Sequence, residues 1–405
     1  MGYTKETIKG ISWIGGFRIA SRSISYVKLA IILRILSPDQ FGLFVIASLV
    51  LAFAEIITET GINTVLVQED EEIDSYINTA WIVSVIRGVI IALMVIAFAP
   101  FIAGFFQSPH SNYLLLLISV VPLVKGFINP SIIKLQKELM FNKEFYLRTF
   151  IFFIDAIVAV LVTLITKSPA GIIWGLIIGA VLEVTISFMI VKPVPKLIFQ
   201  VDIFKKVFNR GKWMTLASVF NYLFHNVDDI VVGKILGMSS LGLYDFAYKF
   251  SMLPITEVGD VVSKVTFPVY TKIAKDIDRL KKAYLKTLIA TAILVLPLGV
   301  ILFSFPHIII KIFGDQWGRA ASVFQILAVF GVVRAILNST SPLFLAMKKQ
   351  EYLSSITLVS FVVLAFTIIP FVQKFGINGA AYSVLISTFC TIPLIIYFLI
   401  KIFKI

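Results

Sequence analysis

Residues able to handle a charged ligand gather first between Gly10 and Leu36, in GISWIGGFRIASRSISYVKLAIILRIL. Arg18, Arg22 and Lys28 stand inside a stretch as long as a membrane-crossing helix. A lysine or arginine at mid-bilayer costs about 2.5–3.5 kcal/mol on insertion scales, so such a residue faces water, a partner or a ligand. Arg18 and Arg22 are one turn apart on one helix face with Ser25, and Lys28 is rotated off that face, roughly 15 Å beyond Arg18. The three side chains form a short cationic ladder. The competing role for Arg18 and Arg22 is to pair with Glu55, Glu59 or Asp228 and hold helices together.

A second polar group lies in FNYLFHNVDDIVVGK, where Asn221, His225 and Asp228 recur at i, i+4 and i+7 beside Asp229. Asp245 and Lys249 follow one turn apart, a spacing at which a charged pair can also neutralise itself. Glu55 and Glu59 form a further one-turn pair in AEIITETG. A desolvated carboxylate near other acids holds a proton more strongly, so Glu55, Glu59, Asp228 and Asp229 are the candidate sites for coupling to H⁺ or Na⁺. No cofactor and no metal site is expected. The single cysteine, Cys390, excludes an internal disulfide and a cysteine-rich metal cluster.

The elements that position these groups follow from composition. Of 405 residues, 59% are hydrophobic and 36 are Phe, well above the roughly 45–50% apolar share of soluble proteins. Runs of 18 or more mostly apolar residues read as spanning helices. They fall at 11–34, 40–61, 79–101, 113–133, 149–167, 170–191, 213–235, 241–262, 284–306, 320–346, 353–373 and 378–400. Strand-like alternation is absent, which argues against a β-barrel. Arginines interrupt the first apolar run and no small-residue cleavage site follows, so it is expected to stay as a membrane helix.

The formal charge of +13 is a matter of topology rather than nucleic-acid binding. The N-terminus and the loops after even-numbered spans carry 23 Lys and Arg, the opposite side six, and the helices seven. The positive-inside rule then places both termini in the cytoplasm, with anionic lipid headgroups as neighbours. Arg87 and Lys125 are lone charges in apolar runs, with Asp155 or Glu183 as candidate partners. The segment from Lys134 to Arg148 reads as a surface helix, and Gly171, Gly175 and Gly179 as a small-residue packing stripe. After Pro193 and Pro195 a basic amphipathic segment is expected to join two related halves.

Those halves are legible as a repeat. Ile35-Leu36 and Gly42-Leu43 recur as Ile235-Leu236 and Gly242-Leu243, with Trp13 matching Trp213, Arg34 matching Lys234 and Ala47 matching Ala247. The expected fold is all-α, a polytopic membrane protein of about 12 helices in two pseudo-symmetric six-helix lobes, 1–191 and 213–405, joined by a linker at 192–212.

The pattern Asn226, Asp228, Gly233, Lys234, Leu236, Gly237, Leu241, Gly242, Leu243, Tyr244, Ala247 and Tyr248 resembles the polysaccharide-exporting flippases of the multidrug/oligosaccharidyl-lipid/polysaccharide transporter superfamily. LSPDQFGLF at 36–44, GINTVLVQ at 61–68, FPVY at 267–270 and GINGAAYS at 376–383 look like the same family. The resemblance implies that the first two helices of each lobe line a cavity opening alternately to either side. It implies a non-enzymatic flippase for an undecaprenyl-pyrophosphate-linked oligosaccharide in the cytoplasmic membrane of a prokaryote. Arg18, Arg22, Lys28 and Lys249 would then meet phosphate, and Asn221, Tyr222 and His225 sugar. Expected partners are the lipid-linked substrate, the bilayer and glycan polymerase or ligase machinery. The alternatives are a cation-coupled multidrug exporter of the same superfamily and a membrane glycan polymerase or glycosyltransferase.

Overall fold

The computed structural model describes residues 2–59, 74–138 and 140–403. The GINTVLVQ motif at 61–68 and the acidic stretch that follows it to residue 73 lie outside the described residues. Among the described residues the regular structure is helical, without strands. Each of the twelve expected spans is helical over most of its described part. The chain is an all-α polytopic membrane protein.

The first half runs α1 (Gly2–Ile35), α2 (Pro38–Ile57), α3 (Asp74–Phe105), α4 (Pro109–Ile118), α5 (Val120–Lys125), α6 (Phe141–Thr166) and α7 (Ala170–Ile190). Then come α8 (Val201–Leu236), α9 (Met238–Ile273), α10 (Ile277–Ser304), α11 (Pro306–Lys311), α12 (Ala321–Asn338), α13 (Ser341–Ala346), α14 (Gln350–Phe375), α15 (Ile377–Phe389) and α16 (Ile392–Phe403).

Nine stretches among the described residues are long and apolar enough to cross a bilayer. The shortfall from twelve has physical causes. α1 carries Arg18, Arg22, Lys28 and Arg34; the fourth expected span breaks at Ser119 into α4 and α5; and the seventh and eighth run together within Ser218–Met252.

The chain divides into two compact units, Met1–Asn226 and Val227–Ile405. The division falls within α8, not in the 192–212 segment. From Val201 to Leu236 no proline interrupts the chain, so the segment read as a linker continues into the seventh span as one helix. The expected surface helix at 134–148 also differs. Residues 130–133 form a 3₁₀ turn and Lys134–Lys137 a single helical turn, after which α6 starts at Phe141.

In the first unit α1 packs on α6, α6 on α7, and α3 on α4 and α5. Glycines set the closest approaches. A Cβ on Gly126 would lie 2.9 Å from the Ser84 carbonyl oxygen of α3. Across α6 and α7, the Gly171–Gly175–Gly179 stripe seats Thr163, Asp155 and Ala159. The Trp13 ring lies 5.2 Å from Phe145 in a tilted pair and Phe17 lies 6.1 Å from Phe152, which fixes α1 along α6.

In the second unit α9, α10 and α12 pack on one another, and α15 joins α12 and α14. Its core holds the LGLYxxAY motif. Leu241 to Ala247 are all buried, and Phe246 stacks on Trp317 at 4.6 Å. The motif is conspicuous because it is packing.

The repeat builds one turn in two ways. Between α1 and α2, Ser37 caps the helix in a reciprocal capping box with Gln40, and Pro38 presets the first turn. Between α8 and α9, Gly237 takes φ +82°, a conformation that favours glycine.

Candidate functional site

The cationic helix α1 is held by packing on α6. Its backbone continues through Arg18, whose side chain lies outside the described residues. Arg22 is exposed on α1. Lys28, rotated away from Arg22, meets α6: its Nζ donates to Asp155 Oδ2 at 2.8 Å. The pair is largely enclosed, the side chains retaining 15% and 7% of their exposure. Asp155 therefore takes its cation from α1, and not from Arg87 or Lys125 as lone charges in apolar runs suggested. Neutralisation across two packed helices depends on tertiary geometry that spacing does not encode.

Arg87 has a different task. Its Nη2 donates to the Glu55 carbonyl oxygen at 2.7 Å and its Nε to Thr58 Oγ1 at 3.2 Å. These oxygens belong to the last turn of α2, where carbonyls lack intrahelical donors and a cation is favoured. Arg87 thus caps α2, with Glu55 and Glu59 as the carboxylates that attract it. Of that candidate coupling pair, Glu55 is half-buried and Glu59 exposed.

Of the residues assigned to sugar, Asn221 and His225 are exposed on α8, the His225 ring 5.0 Å from Phe224. Tyr222 is committed otherwise. Its hydroxyl donates to the Leu49 carbonyl at 2.6 Å and its ring lies 5.7 Å from Phe53, which binds α8 to α2.

The second unit gathers Asp228, Asp229, Asp245 and Lys249 around two tyrosines. Tyr244 donates to Asp228 Oδ2 at 2.7 Å, and both are buried. Lys249 Nζ lies 2.7 Å from Asp245 Oδ2, the i, i+4 neutralisation that spacing allowed. Asp229 Oδ1 is buried with no hydrogen-bond partner among the described residues. A member that spacing missed is Arg334 of α12. It donates to the Tyr248 hydroxyl at 3.0 Å, lies 5.7 Å over the Phe330 ring and attracts Asp228. Its signal was available as a lone arginine in an apolar run, which the sequence offers without a partner.

The repeat gives these charges a common logic. The offset that maps Ile35 on Ile235 and Gly42 on Gly242 also maps Lys28 on Asp228. One unit places a cation at this position, paired with a carboxylate; the other places a carboxylate, bonded to a tyrosine. Among the described residues no group of three or more His, Cys, Asp or Glu is arranged to hold a metal ion.

The class that fold and sequence define is a polytopic all-α membrane protein with charged side chains inside its spans. The structure is similar to the lipid II flippase MurJ in an inward closed conformation, with a TM-score of 0.73 at 17% identity over 96% of this chain and 89% of that one. It is also similar to an inward-facing multidrug resistance MATE family transporter of the MOP superfamily, with a TM-score of 0.68 at 15% identity over 94% of each chain. Within this class, the family described as Polysaccharide biosynthesis protein matches residues 31–322, and the chain belongs to it. Teichuronic acid biosynthesis protein TuaB of Bacillus subtilis (strain 168) is 25% identical over 362 residues, 86% of this chain and 73% of TuaB.

Proposed function

We propose that the protein is a flippase that moves a lipid-linked oligosaccharide across the cytoplasmic membrane for cell-surface polysaccharide biosynthesis. The observation that carries this reading is the cationic helix α1, with Arg22 exposed and Lys28 partly enclosed, in a chain of the polysaccharide biosynthesis family. The physical problem is a bulky sugar on a diphosphate, neither of which enters hydrocarbon. Donors on α1 replace the hydration of the phosphates, Arg22 by its fork of N–H groups and Lys28 as a point charge. Arg18 continues the same face. Lys249 is a secondary phosphate contact, and Asn221 and His225 offer polar groups to sugar, with Tyr222 contributing its ring more than its hydroxyl. Transport proceeds by alternating access.

The carrier lipid is undecaprenyl pyrophosphate, both termini are cytoplasmic, and polymerase or ligase machinery receives the translocated unit. The proton or Na⁺ gradient acts through the buried Asp228 and its neighbour Asp229, whose Oδ1 is buried. These carboxylates also favour a second reading, a cation-coupled exporter of organic cations.

Cells lacking the native protein test the assignment. Polysaccharide export is restored by wild type and in part by Arg22→Lys, and is lost with Arg22→Gln at equal membrane abundance. Full export by Arg22→Gln removes the phosphate role. Extrusion of organic cations without any effect on polysaccharide supports the exporter.

A further inference from the structure

The Lys28–Asp155 pair has three properties that a simple helix tie does not require. Asp155 has a seat made for it: a Cβ on Gly175 would strike its side-chain oxygen, and would lie 2.6 Å from its backbone oxygen and 2.7 Å from Ala159 Cβ. Its carboxylate is half used, since Oδ2 receives Lys28 while Oδ1 is buried without a hydrogen-bond partner. The two partners are also unequally enclosed, Lys28 being the more exposed at 15% against 7%. The carboxylate is fixed between α6 and α7, whereas the ammonium sits on a flexible stem with two hydrogens uncommitted to Asp155.

Lys28 lies six residues from Arg22, roughly 9 Å along the helix axis. They lie about 120° apart around α1, so a single diphosphate reaches both only when the Lys28 stem swings out from α6. A cation held permanently by a carboxylate presents little net charge to such a ligand. A cation with no counter-charge would bind the diphosphate so firmly that release suffers. An exchangeable partner resolves the conflict, because a bound phosphate leaves the enclosed Asp155 carboxylate uncompensated and so favours return of the ammonium.

We propose that Asp155 is a positioning residue that competes with the substrate's phosphate for the Lys28 ammonium, the ion pair opening as the diphosphate docks and closing as it leaves. This rests on the flippase reading and adds to it a device that sets affinity against turnover.

The test uses the purified full chain and two probes, undecaprenyl pyrophosphate and uncharged undecaprenol. It reads Kd for each probe, and KM and kcat for translocation of a lipid-linked oligosaccharide. Asp155→Asn removes the competitor's charge, so Kd for the diphosphate falls about tenfold, in line with the strength of a charged hydrogen bond. At the same time kcat decreases and undecaprenol binding is unchanged. Adding Lys28→Gln abolishes the gain. The exchanged pair, Lys28→Asp with Asp155→Lys, keeps an ion pair and its melting temperature but binds the diphosphate more weakly than wild type, since the ammonium has moved to α6.

A purely structural pair gives a different pattern: folded Asp155→Asn binds no tighter, or the exchanged pair matches wild type in both Kd and kcat. Either result overturns the proposal. Should Asp155→Asn fail to fold, the exchanged pair decides. Equal binding of diphosphate and alcohol by wild type instead refutes the flippase reading, and the proposal with it.

Discussion

Replacing Gly175 by alanine adds one methyl group where α7 lies against α6, and the structure fixes what that methyl meets. It lands on the Asp155 carboxylate, 2.6 Å from the Asp155 carbonyl oxygen and 2.7 Å from Ala159 Cβ. Two of these contacts involve backbone or a short side chain, which cannot swing away. Overpacking of this kind costs about 1–3 kcal/mol, and alanine's helix preference over glycine returns up to about 1 kcal/mol. Displacing the carboxylate also strands Lys28, and loss of one partner of a buried pair costs about 3–5 kcal/mol when complete. A net loss of about 2–5 kcal/mol is expected, or roughly 4–20 °C in melting temperature at about 2–4 °C per kcal/mol. Gly179 provides the internal control. Its Cβ would lie 3.4 Å from Asp155 Cβ and 3.8 Å from Ile151 Cγ2, ordinary contacts, so Gly179→Ala stays within about 1 kcal/mol of wild type. Thermal melting of both variants in the same detergent checks the pair. Equal melting temperatures for Gly175→Ala and wild type, or equal losses at both positions, refute the role of the stripe as the seat of Asp155.

Three further outcomes follow from single contacts. Arg87→Gln removes the charged donor at the end of α2 and lowers stability by about 1.5–3 kcal/mol, read by melting, with Arg87→Lys recovering part. Tyr244→Phe leaves the buried Asp228 carboxylate without its 2.7 Å donor and costs about 1–3 kcal/mol, again read by melting. Gly237→Ala forces an L side chain to φ +82° at a cost of about 1–2 kcal/mol. Ser37→Ala at the equivalent turn loses a cap instead, about 0.5–2 kcal/mol, and Ser37→Gly recovers most of that loss.

Much of the fold was legible because membrane helices declare themselves locally. Apolar run length located α2, α3, α6, α7, α10 and α14. What failed were places where local signals compete. The prolines at 193 and 195 and the lysines after them suggested a separate linker, yet helix continues from Val201 into the seventh span. The fourth and twelfth spans read as single helices but break near Ser119 and at Cys390-Thr391.

The charged groups were legible as a set, and their partners were not. Asp155 stood out as a carboxylate in an apolar run, but its cation comes from 127 positions away on α1. Glu55 and Glu59 drew attention by their spacing, whereas Arg87 uses the backbone carbonyl of Glu55, an acceptor that every residue carries. Arg334 became meaningful only through Tyr248, the last residue of a motif in which Tyr244 bonds Asp228 and the other members are packing. Side chains that bond to backbone, or across helices far apart in sequence, leave no periodic trace.

The most direct measurement is ATP-independent translocation of a fluorescent lipid-pyrophosphate oligosaccharide in proteoliposomes, comparing wild type with the double variant Arg18→Gln/Arg22→Gln. Movement by wild type and its loss in a folded double variant is the expected result. Equal movement by both contradicts a phosphate role for α1, and movement by neither, with extrusion of organic cations by wild type, contradicts the flippase itself.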